Sequence, residues 1–560
     1  LDAVNLCEMT RNDRHTVRAL FLLGANDGVL PAAENRGGVL RDEDREALER
    51  QQIFLAPHGM EQFHLEIQNL YAALAQPTEK LTVSYPVSDG KGAEKRPSFV
   101  IGRIARLLPS ISVETESADK EYRLSAKSTA LEYAGEHIGG ALWQYFEGQG
   151  DAERALAAMK DASRYTRGHL SRDAVRALYG GAVTLSASRM DMARSCHFAY
   201  FMRYGLKARE RTGAGFDAPQ IGTFVHDVME HTLRQAKECG GLHTLSKDKL
   251  HALVRASIEE YIDRVLPDLC EKSARFRYLF NRLCATVERI MDEVSEELQS
   301  SDFEPLAFEL EFGADGQLPA ITIREENGTA RVVGKVDRVD GWLHDGKLYL
   351  RVVDYKTGKK SFDLAELRYG LGLQMLLYLF TLKEEGQMLF GGHEIVPAGV
   401  LYTPAREPML RCARDTEPEK IEKALKKELR RSGMVLEDPA VLQAMEHSAL
   451  ESPCYLPIAV KRDGAVTGSL ASAEQLGKLS KYVDHILHEI TQEVFAGNID
   501  ADPYARTPQQ SACTYCEFAS ACHFENGCGS DRMEYIKATK NDEFWQYIDE
   551  VNGEGAHENG

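Results

Sequence analysis

Residues 351–360, with the sequence RVVDYKTGKK, contain a carboxylate and an amine that could act on one substrate. The apolar first half of this stretch predicts a β-strand, and side chains alternate between the two faces of a strand. Asp354 and Lys356 are therefore expected to point the same way. Two explanations are open. One is a surface ion pair at a strand end, which contributes little to stability, and the other is a metal ligand beside a catalytic lysine.

Asp337, in VVGKVDRVDG, is a candidate for a second carboxylate at the same place. It precedes Asp354 by 17 residues, a spacing that suits a hairpin bringing both strands to one end. Two carboxylates in a small volume repel each other unless a cation lies between them. A hard divalent ion such as Mg²⁺ or Mn²⁺ removes that repulsion, and Lys356 would neutralise charge developing on phosphorus. These three residues predict metal-dependent phosphodiester hydrolysis.

Two further pairs of residues, each four positions apart, fall on predicted helices. GTFVH places Gly222 and His226 on one helix face, where the glycine is expected to let another backbone approach. QMLLY places Gln374 and Tyr378 on the helix that follows the lysine strand. By themselves, the histidine is compatible with a structural role and the second pair with an ordinary amphipathic helix.

The cysteines indicate a second site. Of eleven in the chain, four lie near the C-terminus, and three of these have the spacing C-x2-C-x5-C: Cys513, Cys516 and Cys522. A zinc ion and a cubane iron–sulfur cluster each need four protein ligands. The fourth ligand is either local, from His523 or Cys528, or remote, from Cys196. The local choice predicts a zinc knuckle, and the remote choice predicts a bond between segments before and after the carboxylates.

Length and composition restrict the class of protein. The 560 residues allow several domains, and because the sequence begins at Leu1 we expect a fragment of a longer protein. The net charge of -19 argues against general affinity for nucleic acid but allows an enzyme with a local basic groove. No window approaches eighteen consecutive apolar residues, so we expect a cytoplasmic protein without a membrane span.

The predicted elements that position these residues change along the chain. Residues 1–110 indicate the end of an α/β domain, with one helix over about 42–75, and helices predominate over 110–300. Over 305–405, four successive strands, a helix at 363–383 and a fifth strand predict an α/β sheet. Helices return after this sheet and continue to the cysteines.

In chain order, GxxxH, GxxDRxD, DYK and QxxxY resemble the signature of the RecB-type nuclease family, within the PD-(D/E)XK superfamily. The resemblance implies an α/β nuclease core with a mixed central sheet flanked by helices. The metal ligands that it implies are His226, Asp337, Asp354 and the backbone carbonyl of Tyr355. The catalytic residues that it implies are Lys356, Asp354, Asp337, Gln374 and Tyr378. In this set, Gln374 and Tyr378 would support the site or touch substrate.

The cysteine pattern is similar to that of the AddB family, which belongs to the bacterial AddAB helicase–nucleases. That family holds a 4Fe–4S cluster with one cysteine before and three after the nuclease motifs, which implies the ligands Cys196, Cys513, Cys516 and Cys522. FLLGANDGVLP also resembles the end of the AddB helicase-like region. The domains expected are the end of a helicase-like α/β domain at 1–110, a helical connector at 111–180, a RecB-type nuclease domain with an iron–sulfur staple at 181–535, and a C-terminal tail at 536–560.

The resemblance implies a Mg²⁺-dependent exonuclease acting on unwound single-stranded DNA. It would work in double-strand break repair by recombination, in a heterodimer with an AddA-like helicase–nuclease subunit. No G-x4-G-K-[ST] occurs in the sequence, so ATP binding is not predicted for it. The basic side chains expected to contact DNA are Arg338, Lys359, Lys360 and Arg368.

Two alternatives are weighed against this function. A free-standing exonuclease of the Cas4 type shares the nuclease motifs and the cluster, but the long helicase-like leader argues against it. A non-catalytic DNA-binding scaffold would be a degenerate nuclease fold, and the intact Asp337, Asp354 and Lys356 argue against that.

Overall fold

The structure is a computed structural model, and the chain forms two compact units, Leu1–Asp161 and Ala162–Gly560. The boundary between the units falls inside the segment 111–180 that the sequence predicts as a connector. The residues that the structure describes are 4–9, 15–32, 40–57, 59–88, 94–115, 123–164, 166–209, 218–267, 273–313, 316–410, 412–413, 416–507 and 509–558.

The first unit contains a two-stranded parallel sheet and several helices. β1 (Val17–Leu22) pairs with β2 (Pro77–Val83), and α1 (Asp42–Glu49) and α2 (Gly59–Leu74) lie between them in the chain. The single helix predicted over 42–75 is thus two helices, because α1 ends at Glu49 and Gln52, in the turn that follows, has a φ of 62°, a left-handed conformation that does not continue a helix. The other helices among the residues described in this part of the chain are α3 (Phe99–Leu107), α4 (Lys127–Glu136), α5 (Ala141–Phe146) and α6 (Asp151–Ser163).

A mixed six-stranded sheet forms the centre of the second unit. Its strands are β4 (Glu304–Phe312), β7 (Gly334–His344), β8 (Lys347–Lys356), β9 (Glu394–Pro404), β10 (Ser432–Leu436) and β13 (Leu470–Ala471). They are arranged in the order β13-β10-β9-β8-β7-β4. β8 runs antiparallel to β7 and parallel to β9. The α/β fold with a mixed central sheet is confirmed.

Helices and smaller sheets surround this sheet. The helices are α7 (Arg172–Tyr179), α8 (Ala187–Ser195), α9 (His197–Tyr200), α10 (Ala218–Glu238), α11 (Lys247–Val265), α12 (Ala274–Gln299), α13 (Leu364–Arg368), α14 (Gln374–Glu385), α15 (Pro418–Glu428), α16 (Pro439–Met445), α17 (Ala473–Ala496), α18 (Ala519–Cys522) and α19 (Asn541–Glu558). The other strands are β3 (Ala182–Leu185), β5 (Ile321–Glu325), β6 (Gly328–Val332), β11 (Ile458–Val460), β12 (Val466–Gly468), β14 (Tyr504–Thr507), β15 (Gln510–Ser511) and β16 (Glu534–Tyr535).

The apolar run at 363–383 forms α13 and α14 instead of the one helix that was predicted. Gly370 and Gly372 separate the two helices and have φ values of 73° and 68°. Only glycine adopts this left-handed region without strain, so the chain turns here. The turn allows α14 to begin at Gln374, the first residue of the QxxxY pattern.

The C-terminal helix α19 belongs to the packed core, contrary to the tail expected at 536–560. Phe544 and Ile548 are completely buried, and Asp549 lies 2.8 Å from the amine of Lys478 on α17. In the part of the chain that the structure describes, no helix has both the length and the apolar character needed to cross a membrane.

Candidate active site and cysteine cavity

Three separate elements bring the predicted chemistry to one end of the β7–β8 hairpin: His226 lies on α10, Asp337 on β7, and Asp354 and Lys356 on β8. His226 Nε2 lies 2.9 Å from the backbone oxygen of Tyr355, and its Nδ1 lies 3.3 Å from Asp337 Oδ2. The backbone N–H of Tyr355 also donates to Asp337 Oδ2, at 2.8 Å. The imidazole therefore bridges the Tyr355 carbonyl and the Asp337 carboxylate, so the three groups meet at one point.

Asp354 and Lys356 form an ion pair on one face of β8, with Oδ2 2.6 Å from Nζ. The pair is not a surface pair, because Asp354 is only 3% exposed. Burial raises the pKa of Asp354 to about 6, the charge of Asp337 adds to the rise, and Lys356 opposes it. A carboxylate so poorly solvated is stabilised by a bound cation.

Glu309, which no sequence pattern indicated, also faces this point. Its Oε1 lies 4.0 Å from His226 Nδ1, and its Oε2 lies 2.6 Å from Lys335 Nζ. Among the residues that the structure describes, one trio of His, Cys, Asp or Glu has all its ligand atoms within 4.8 Å of one another: His226, Glu309 and Asp337. Glu309 lies on β4, and only the pairing of β4 with β7 brings it here. An imidazole and several oxygen donors fit a divalent ion such as Mg²⁺ or Mn²⁺.

Gln374 and Tyr378 lie on the first turns of α14, and Tyr378 contacts β7. Gln374 Nε2 donates to the Tyr378 hydroxyl at 3.2 Å. The Tyr378 ring packs against Gly334, where an added Cβ would lie 2.5 Å from its Cε1 atom. The glycine of GxxDRxD thus makes room for the tyrosine of QxxxY, and the helix supports the strand that carries Asp337.

Gly222 does not have the role expected for it. No described heavy atom lies within 4 Å of the Cβ that could be added there. The expected approach of another backbone at this glycine is therefore wrong for the described residues, although His226 of the same motif reaches the site.

The four basic residues expected to contact DNA have different surroundings. Lys359 and Lys360 are exposed, and each lies within 4 Å of one glutamate. The Arg368 guanidinium lies 4.6 Å from the centre of the Tyr547 ring on α19. Arg338 is completely buried, so the DNA contact expected at this residue is wrong.

Arg338 belongs instead to an ionic network in the core. Its Nη1 donates to the Tyr355 hydroxyl at 2.6 Å, and its Nη2 donates to Asp340 at 2.9 Å. Arg351 also donates to Asp340, at 2.8 Å, and lies 3.3 Å from Glu297 on α12. The physical reason is strand alternation, since Arg338 and Asp340 are two residues apart and share the face opposite Asp337.

The four cysteines expected to bind a cluster line one cavity of about 670 Å³: Cys196, Cys513, Cys516 and Cys522. His523 also lines it, whereas Cys528 is exposed and does not belong to the lining. Burial raises the pKa of Cys196 to about 12. A thiol in such surroundings ionises only beside a compensating cation, and thiolates are the ligands of iron–sulfur clusters. The donor set and the volume therefore fit a multi-atom cluster.

The segment that carries Cys196 is bonded to residues just before the other cysteines. The backbone N–H of His197 donates to Asp502 at 2.9 Å, and its Nδ1 lies 2.6 Å from the second oxygen of the same carboxylate. Burial works to lower the pKa of His197, but Asp502 and Glu493 outweigh it and raise the pKa to about 9. These contacts join two walls of the cavity.

Comparison with known proteins finds one family model and several relatives. The family model of the PD-(D/E)XK nuclease superfamily matches residues 184–523. The B component of the ATP-dependent helicase/deoxyribonuclease of Ruminiclostridium cellulolyticum is 31% identical over 575 residues, covering 98% of this chain and 50% of that protein. Proteins of the same name from Acetivibrio thermocellus and a Thermoanaerobacter species are 32% and 29% identical over 572 and 580 residues, covering 98% and 99% of the chain. The chain spans about half the length of the curated relatives it matches.

Proposed function

The chain belongs to the PD-(D/E)XK nuclease superfamily, and from this membership we propose that it is a divalent-metal-dependent nuclease acting on single-stranded DNA. One observation carries the proposal. His226, Asp337 and the Tyr355 carbonyl converge within hydrogen-bond distance, and Asp354 and Lys356 form a pair on the same hairpin. This is the set of groups that metal-dependent phosphodiester hydrolysis requires.

The metal would be held by His226, Asp337, Asp354 and the Tyr355 carbonyl, whose nitrogen and oxygen donors suit Mg²⁺ or Mn²⁺. When bound, such an ion supplies Lewis-acid stabilisation of charge on the phosphoryl oxygens. The residues that orient these ligands are part of the chain: the Tyr355 N–H holds Asp337, and Tyr378 packs behind the same strand.

Lys356 would act on the substrate directly. Its side chain is 31% exposed, so the ammonium can donate to a phosphate oxygen and stabilise the negative charge that grows as water attacks phosphorus. The water oxygen forms the new P–O bond, and the bond to the leaving sugar oxygen breaks. That oxygen takes up a proton, and the proton lost by the water passes to a base.

The proposed substrate and partner follow from the relatives, whose name combines a helicase with a deoxyribonuclease. We place this chain as the nuclease-bearing part of an AddB-like protein. It would degrade strands unwound by a motor, in a heterodimer with an AddA-like subunit, during recombinational repair of double-strand breaks. Lys359 and Lys360, which follow Lys356 and are exposed, would contact the DNA backbone.

The second part of the proposal is a 4Fe–4S cluster bound by Cys196, Cys513, Cys516 and Cys522. The shared cavity supports it, and the exposed position of Cys528 favours the remote fourth ligand over that local one. The role would be structural, because a metal site that links distant segments contributes folding free energy.

The nuclease is tested with the chain, Mg²⁺ and end-labelled single-stranded DNA. Asp354→Asn should lower the cleavage rate by about 100-fold or more. The matched control is Asp345→Asn, at the far end of the same hairpin, where the side chain is 89% exposed, and it should cleave at the wild-type rate. A wild-type protein that binds this DNA without cutting it would favour the scaffold alternative.

The cluster is tested by anaerobic purification followed by iron, sulfide and zinc analysis. Wild-type protein and Cys528→Ser should carry iron and absorb at about 400 nm, and Cys196→Ser should lose both. A colourless protein with one zinc, unaffected by Cys196→Ser, would overturn this part of the proposal.

A further inference from the structure

Arg167, which precedes α7, contacts one of the four cavity cysteines at two places. Its Nη2 donates to the backbone oxygen of Cys522 at 2.8 Å and lies 3.6 Å from the sulfur of the same residue. The guanidinium also forms a two-point ion pair with Asp531, with Nε–Oδ1 and Nη2–Oδ2 distances of 2.8 Å and 2.9 Å. The Arg167 side chain is only 9% exposed. No sequence pattern indicated a role for this residue.

Further contacts fix the position of this guanidinium. Its central carbon lies 4.4 Å from the centre of the Phe198 ring, two residues after Cys196. The Arg167 backbone N–H donates to Ser530 Oγ at 3.3 Å. Arg167 thus joins the segments of Cys196 and Cys522. Because its planar group is held on several sides, the Nη2–H that it donates to the Cys522 carbonyl is shared with the Cys522 sulfur in a constant geometry.

We propose that Arg167 donates a hydrogen bond to the Cys522 thiolate and thereby controls the reduction potential and the lifetime of the bound cluster. The inference rests on the cluster proposed above. Hydrogen bonds to cysteine sulfurs help to set the potentials of iron–sulfur clusters, because they stabilise the more negative, reduced state. Asp531 neutralises the guanidinium charge, so the effect comes from the directed N–H and not from net charge. The contact with the Cys522 carbonyl holds the ligand in place as well.

A purely structural role for Arg167 would leave the potential unchanged, so the variants are chosen to separate the two roles. Arg167→Lys keeps a charge beside Asp531 but loses the planar fork that reaches Cys522. The double variant Arg167→Met with Asp531→Asn removes both charges together and avoids a buried, unpaired carboxylate. The matched control is Arg203→Met. Arg203 pairs with Glu517 at 2.6 Å, one residue after the cavity cysteine Cys516, and contacts no sulfur among the residues that the structure describes.

The measurements are made on anaerobically purified chain. They are iron per chain, the midpoint of an electron-paramagnetic-resonance titration with dithionite, and the half-life of the absorbance at about 400 nm in air with EDTA. Thermal unfolding checks that each variant folds. We expect wild type and Arg203→Met to have the same iron content, the same midpoint and the same rate of iron loss. Both Arg167 variants should have a more negative midpoint and lose iron about 10-fold faster.

The inference would be overturned if the folded Arg167 variants kept the wild-type midpoint and rate of iron loss. Should the double variant fail to fold, Arg167→Lys decides the question by the same two readouts. A wild-type protein without iron is a different result, since it would overturn the proposed cluster and this inference with it.

Discussion

The hydroxyl of Tyr355 accepts a 2.6 Å hydrogen bond from Nη1 of the completely buried Arg338. The backbone of the same tyrosine donates to Asp337 and accepts from His226. A side chain anchored in the core thus holds the backbone that orients two of the expected metal ligands and offers a third. The order of the site depends on the ion pairs behind it.

Replacing Arg338 by methionine should destabilise the protein and leave little activity. The Tyr355 hydroxyl would lose its partner in the core and Asp340 would keep only Arg351, and breaking a buried ion pair costs about 3–5 kcal/mol. Urea denaturation measures the loss in the free energy of unfolding. The control is Lys359→Met, whose side chain is 83% exposed and whose effect on stability should be within about 0.5 kcal/mol. A stable Arg338→Met protein with weaker DNA binding would contradict the core role.

Glu297, at the other end of this network, should make stability depend on pH. It lies 2.6 Å from Arg431 and 3.3 Å from Arg351. Burial works to raise the pKa of Glu297, but the charges of Arg431, Arg351 and Arg338 outweigh it and hold the pKa at about 2. A glutamate in the unfolded chain has a pKa of about 4.5. The stabilisation, on the order of 3 kcal/mol, is therefore complete above that pH and is lost as the pH falls toward 2.

The test compares wild type with Glu297→Gln by urea denaturation at about pH 6 and about pH 3. The wild-type free energy of unfolding should fall more steeply with acid than that of the variant. Glu394→Gln, at an ion pair whose carboxylate is 65% exposed, serves as the control and should follow wild type. If the free energy of unfolding fell equally with acid in wild type and Glu297→Gln, the buried ion pair would not be the source of the pH dependence.

The two motif glycines should respond differently to alanine. Gly334→Ala places a Cβ 2.5 Å from Tyr378 and 2.6 Å from Phe312, and such overpacking costs about 1–3 kcal/mol. Displacing Tyr378 should also lower nuclease activity. Gly222→Ala meets no described atom within 4 Å and lies within α10, so it should be neutral or stabilise by up to about 1 kcal/mol. Thermal unfolding and cleavage rates measure both, and equal effects of the two substitutions would refute this assignment.

Glu309 should contribute to metal affinity, because its carboxylate lies 4.0 Å from His226. Glu309→Gln should weaken Mn²⁺ binding by about 10-fold, a typical effect for a residue that orients or supplements metal ligands. Calorimetry or the paramagnetic signal of free Mn²⁺ measures the Kd without DNA. Glu311→Gln is the matched control, since Glu311 is on the same strand and near the same Lys335, but 55% exposed. Equal affinities for the two variants would exclude Glu309 from the metal site.

The sequence was most informative where residue type and spacing act locally. Strand alternation predicted that Asp354 and Lys356 would be neighbours, and the 17-residue spacing brought Asp337 to the adjacent strand. The order of strands and helix predicted an α/β sheet, and its mixed character was implied by the resemblance to the RecB-type nuclease family. Glu309 could not be predicted, because its position depends on a cross-strand pairing that includes a register shift between Pro305 and Ala307.

The buried role of Arg338 was indicated by the sequence, although it was not predicted. Its spacing of two from Asp340 places both on the strand face opposite Asp337, which indicates a buried partner and not a DNA contact. The interruption of the helix at Gly370 and Gly372 was also visible in the sequence. The role of Arg167 could not be seen, since its hydrogen-bond partners lie more than 350 positions away.

The distance along the chain between Arg167 and Asp531, 364 positions, also bears on the order of events during synthesis. The cavity segment that contains Cys196 emerges from the ribosome long before the segment that contains Cys522. Contacts of such sequence separation form late in folding. The four cysteines proposed to bind a cluster are therefore not all present until Cys522, and with it most of the second unit, has been translated. Loading of the proposed cluster would therefore come late, after the segment of Cys522 has been made.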